Sequence, residues 1–140
     1  KFVANTLGIF ISMIPLQAFI TYMLLTGKGG MEISIEKFFI VVLLLYVHIL
    51  FYISLTFFCN IFINSRIGVL AIPFGIFFVQ QYVMNLLSNW ANYFPYNLVI
   101  NSTVILAGES VNYIPNLIFT LLLSVVLLIL SVIRFEKLEL

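Results

Sequence analysis

Charge is what this sequence has least of. Five acidic and six basic residues make up 8% of 140 positions, whereas a soluble domain carries about a quarter, so an ordinary water-facing surface is excluded. A net charge of +1 leaves no basic field that could follow a phosphate backbone, which sets nucleic acid aside as a partner. A single cysteine, Cys59, excludes an intrachain disulfide framework, and in its apolar stretch it reads as a small packing residue. A single histidine, His48, has no second His, Glu or Cys at ligand spacing, so no metal or cofactor is expected. No secretory signal with a small-residue cleavage site precedes the first apolar run, and the chain opens on Lys1 rather than Met. The sequence is therefore expected to be part of a longer protein.

What is present is apolar sequence in long runs. Hydrophobic residues make up 64% of the chain, and the mean hydropathy is +1.23. A spanning helix needs about 20 predominantly apolar residues, because about 30 Å of hydrocarbon is crossed at 1.5 Å per residue. Four segments qualify, at about 2–26, 38–63, 67–87 and 113–133, and none contains Asp, Glu, Lys or Arg. Their continuity favours helices over the alternating ten-residue strands of a membrane barrel. The expected fold is all-α: residues 1–140 as one polytopic membrane helix bundle with four transmembrane helices, and the lipid bilayer as its first partner.

The connections set the topology. "TGKGGMEISIEK" reads as a short polar hairpin and "NSR" as a very tight turn, so consecutive helices pack antiparallel. Residues 88–112 are too long for a turn, and "LVINSTVILA" within them is apolar but only ten residues long. That length suits a short interfacial or re-entrant extracellular segment. Trp90, Tyr93, Phe94 and Tyr96 around Pro95 read as an aromatic anchor at headgroup depth. With the N-terminus in the cytoplasm, Lys1, Arg66, Arg134 and Lys137 lie inside while Lys28 and Lys37 lie outside, and the positive-inside rule favours that orientation.

Several motifs fail on inspection. "LLTGKGG" contains Gly27-Lys28, but Tyr22 and Gly29 stand where a phosphate loop needs glycine and Ser or Thr. Its glycines more simply end a helix and make a turn. Gly108-Glu109-Ser110 lacks the setting of a nucleophilic serine. Asn101-Ser102-Thr103 fits a glycosylation acceptor by pattern alone. The chain is not expected to be an enzyme.

The polar residues inside the spans are the remaining candidates. His48 falls near the middle of the second span, four residues before Tyr52 on the same face. A proton relay through it is one reading; a neutral histidine bonded to a neighbouring helix is the other, since proton-driven transporters usually keep a carboxylate in the membrane. Thr56, Asn60 and Asn64 form a stripe lower on that helix, Gln80, Gln81 and Asn85 one on the third, and Gln17 with Thr21 one on the first. These stripes are either interhelical glue, at about 0.6 kcal/mol per hydrogen bond, or the lining of a pathway. Pro15 and Pro73 interrupt two spans and can kink them. A charge at mid-membrane costs about 2.5–3.5 kcal/mol on insertion scales and is retained chiefly for a task. None is retained here, so uphill transport would need energy from outside these helices.

With those features on hand, "KFVANTLGIF" as a lysine-led helix start, "SLTFFCNIFINSRIGVLAIPFGIFF" as two tightly joined helices, "YFPYNLVINSTVILAG" and the closing "RFEKLEL" resemble the membrane-spanning subunit of ABC exporters, the type-2 permease group. The resemblance covers nearly the whole chain, as the C-terminal four of six helices. It implies a permease of an ATP-driven exporter in the cytoplasmic membrane of a prokaryote, a separate ABC ATP-binding subunit, and a second permease copy, identical or not, with the substrate route between the copies. It also implies that residues 94–110 cap that route outside, with Tyr93, Tyr96 and Asn101 as cap residues. Lys1, the Asn64-Ser65-Arg66 turn, Arg134 and Lys137 are then plausible neighbours of the partner inside. The two helices and coupling segment that precede this part in the family are missing here. The alternatives are a small membrane scaffold or assembly protein, and a secondary transporter using His48.

Overall fold

The computed structural model describes residues 34–63 and 65–139. The expected span 2–26, Lys1, Gln17 with Thr21, and Asn64 lie outside the described residues, as do the side chains of Arg66 and Lys137. Within the described residues the fold is all-α: α1 (Ile35–Phe62), α2 (Arg66–Leu86), a 3-10 helix (Ser88–Tyr93), α3 (Asn97–Leu106) and α4 (Ile114–Glu139). Three of them, over Ile35–Phe62, Ile67–Leu86 and Ile114–Phe135, are long and apolar enough to cross a membrane.

Local chemistry sets where each helix starts and stops. Ser34 caps α1 by accepting the Lys37 N–H at 3.3 Å, and Glu36 in the first turn complements the helix dipole. Helix α2 begins soon after α1 ends, at Arg66. Ser65 caps α2 by accepting the Gly68 N–H at 3.4 Å. A Cβ on Gly68 would lie 3.0 Å from Ile63 Cγ2, so a larger residue there would press on the Ile63 side chain. α3 ends in a Schellman motif, with Glu109 N–H bonded to Val104 O and Gly108 N–H to Ile105 O. Gly108 takes the left-handed conformation this motif demands, with φ +91°.

Two helix limits differ from expectation. α1 begins at Ile35 rather than 38, because a serine cap and an acidic first turn extend the helix past the apolar run. α4 continues to Glu139 rather than ending at 133, since Arg, Glu, Lys and Leu are all good helix formers once the chain leaves lipid. Where a short interfacial or re-entrant segment is expected, the chain forms the 3-10 helix followed by α3.

α1 is the central element, packed along α4, α3 and α2. One end of the bundle, here the capped end, carries the start of α1 and α3; the opposite, turn end carries residues 63 and 65. Near the capped end the core is built from Val41, Leu44 and Val47 of α1, Leu98 and Ile105 of α3, and flanking Leu117 and Leu121 of α4. Toward the turn end it is built from Phe51, Leu55 and Cys59 of α1, Val69 and Ile76 of α2, and Leu123 and Leu127 of α4. Arg134 places its guanidinium 5.9 Å from the Phe62 ring, tying α4 to α1 at the turn end. The large exposed side chains, such as Phe74, Phe78, Leu122 and Ile129, would be a liability in water and are natural contacts for lipid tails.

Candidate functional site

Backbone between α2 and α4 that enters an apolar bundle must find partners, because an unmet N–H or C=O there costs several kcal/mol. Residues 92–96 find theirs on side chains from three helices. His48 of α1 bonds the Pro95 carbonyl through Nδ1 at 3.0 Å; a carbonyl can only accept, so Nδ1 carries the proton. Gln80 of α2 accepts the Tyr96 N–H on Oε1 at 3.1 Å. Asn116 of α4 donates from Nδ2 to the carbonyls of Asn92 at 3.0 Å and Phe94 at 2.9 Å. All three side chains are buried. Asn97 Nδ2 also donates to Asn92 Oδ1 at 3.3 Å, which holds the 3-10 helix to the first turn of α3.

The far end of the segment is held as well. Lys37 Nζ donates to the Gly108 carbonyl at 3.2 Å, where a cation also suits the C-terminal end of the α3 dipole. α3 is thereby fixed at both ends, and Leu98, fully buried, pins its first turn.

Aromatic rings fill the space around the hydrogen bonds. The His48 ring meets the rings of Tyr52, Phe77 and Tyr96 at 5.1, 6.3 and 6.2 Å. Phe77 is 5.9 Å from Tyr52 and 5.6 Å from Tyr96, mostly edge to face as ring quadrupoles prefer. The Tyr52 hydroxyl, Asn101 Nδ2 and Asn116 Oδ1 are buried and have no hydrogen-bond partner among the described residues.

The residues singled out from sequence are thus only partly brought together. His48, Gln80 and Tyr96 meet in one cluster. Gln81 is half-buried beside it on α2. Tyr93 is half exposed and packs against Trp90 and Phe119. Asn101 is buried on α3, away from the surface. That burial, with Ser102 buried too, leaves the Asn101-Ser102-Thr103 triplet no use as a glycan acceptor in the folded chain. Asn60 is exposed, and Thr56 returns its hydroxyl to the Tyr52 carbonyl at 2.7 Å, so that stripe makes no bond between described helices. Arg134 is exposed at the turn end.

His48 is central in α1 and stands level with Phe77 of α2, nine residues before the end of that helix, so the segment around Pro95 reaches down to that level.

Sequence reasoning missed the polar stripe of α4. Asn116, Thr120, Ser124 and Ser131 are at most 1% exposed. Thr120, Ser124 and Ser131 return their hydroxyls to carbonyls four residues back at 2.7–2.8 Å. Their spacing of four, four and seven residues was the available signal. Small side chains that satisfy themselves on their own helix let a neighbouring backbone approach closely. No metal-holding group of His, Cys, Asp and Glu occurs among the described residues. No family model, curated protein or solved structure matches the chain.

Proposed function

We propose that the chain is the membrane-spanning subunit of an ATP-driven exporter, working with a separate ATP-hydrolysing subunit and a second permease copy. The observation that carries this reading is the segment between α2 and α4. It is too short to cross a bilayer, folds back against the spans, and is bonded to all three of them at one end of the bundle. A segment so built closes that end against water and solutes, as the outer cap of a type-2 permease is expected to do. The charge-free stretches 38–63, 67–87 and 113–133 supply no fixed ion for proton or sodium coupling, which fits energy arriving from a partner. In this reading the capped end faces outward in the cytoplasmic membrane of a prokaryote, and Arg134 and the 63–65 turn face the ATPase side.

One observation favours the scaffold reading instead. His48, Gln80 and Asn116 are all used on the chain's own backbone, which is what helix-binding polar groups do without any transport. Isolation of the full-length protein from its native membrane separates the two. An ATPase subunit present in equal amount supports the exporter; recovery with other membrane proteins and no ATPase contradicts it.

A further inference from the structure

Among the described residues the two cores divide the bundle unevenly. The core at the capped end draws on α1, α3 and α4, while α2 contributes Val69 and Ile76 to the core nearer the turn end. Beyond Ile76, α2 meets the rest of the described chain through the Gln80–Tyr96 hydrogen bond, the rings that Phe77 sets against His48, Tyr52 and Tyr96, the buried side chain of Met84 and the 3-10 helix that follows α2. The change of partner falls just after Pro73, which lies inside α2 and cannot donate to the carbonyl one turn back, so the helix is weakest there in bending. Gly75 follows, and among the described residues no side chain or neighbouring helix comes within 4 Å of where its Cβ would sit. α3, by contrast, shares the buried core with α1 and is held by His48, Lys37 and Asn116.

We propose that residues 77–86 form a movable arm that pivots at Pro73–Gly75, latched by the Gln80–Tyr96 bond, while α3 stays fixed to α1 and α4. Parting this seam breaks one hydrogen bond, separates Phe77 from its ring neighbours and uncovers Met84, which is buried when the seam is closed. It also gives the Tyr52 hydroxyl, buried beside Phe77 with no partner among the described residues, access to one, which offsets part of the loss. The seam opens on a crevice lined by His48, Tyr52, Gln80 and Tyr96. The inference does not depend on the exporter reading, because it needs neither nucleotide nor substrate.

The test uses the full-length protein in open membrane fragments, with Cys59→Ala removing the native thiol and single cysteines reporting through maleimide labelling. Met84→Cys reports the arm, Leu98→Cys the α3–α1 contact and Ser124→Cys the buried face of α4. Gln80→Leu is expected to speed labelling at position 84 about tenfold, the change in opening equilibrium from one lost buried hydrogen bond. Adding Pro73→Ala, which restores the missing N–H, should bring the rate back toward that of the latched protein. Positions 98 and 124 should stay unreactive throughout. Unchanged labelling at 84 with Gln80→Leu, no slowing by Pro73→Ala, or equal exposure at 98 each overturns the proposal. If Gln80→Leu exposes position 124, the bundle has unfolded and Pro73→Ala alone decides. It must slow the basal rate at 84, and a rate equal to the parent contradicts the hinge.

Discussion

At the scale of single residues, the bundle treats its polar side chains in two ways that mutation can separate. Asn116 holds two carbonyls, of which that of Phe94 also accepts the Asn97 N–H at 2.9 Å, so Asn116→Leu leaves the Asn92 carbonyl short of a buried donor and should cost about 1–3 kcal/mol of stability. His48→Ala removes one donor from a Pro95 carbonyl that also accepts the Leu98 N–H at 3.1 Å, so it should cost less than Asn116→Leu. His48→Gln, which can still donate, should cost least of the three. Thermal unfolding in detergent gives the order, and a His48→Ala loss as large as that of Asn116→Leu would contradict it. The same histidine tests the proton reading: undiminished activity in His48→Gln removes it from any relay. Residue identity was visible in the sequence for His48 and Gln80 because polar atoms in an apolar run stand out. Their partner was not visible, because backbone atoms of Tyr96 and Pro95 carry no sequence signal. Asn116 was passed over since it sits at a span's edge, where an amide looks unremarkable until the loop folds down onto it.

At the scale of elements, the buried stripe of α4 makes a paired prediction. The hydroxyls of Ser124 and Ser131 bond only their own helix, so changing either to Ala should alter stability by less than about 0.5 kcal/mol. Changing either to Leu forces volume into a fully packed face and should cost about 1–3 kcal/mol. Equal effects for Ala and Leu would show that the hydroxyl, not its size, matters. Gly108→Ala is a second check: at φ +91° it should cost about 1 kcal/mol by straining the end of α3. Periodicity and length revealed these helices well, because long apolar runs admit few other structures in lipid. Their ends were less legible: α1 was extended by the Ser34 cap and α4 by good helix formers in "RFEKLE", signals weaker than the drop in hydropathy that drew the eye. The short segment was legible as non-spanning from its length, but its descent to the level of His48 is a tertiary fact fixed by three side chains.

At the scale of the whole molecule, both faces of the bundle follow from where its charges and caps lie. With the capped end outward, a membrane-impermeant thiol reagent added to intact cells should label cysteines at exposed positions such as Trp90, Tyr93 or Glu109. It should spare a cysteine at position 66, which lies at the turn end with the start of α2. The reverse pattern would invert the orientation. The proposed exporter function makes the larger prediction, that motion here is driven through a partner that hydrolyses ATP. The most direct measurement follows a cysteine placed at Tyr93 in native membranes and compares its labelling rate with ATP plus vanadate and with a proton uncoupler. The account predicts a several-fold change with ATP and vanadate and none with the uncoupler. A rate that answers to the uncoupler and ignores ATP would contradict it.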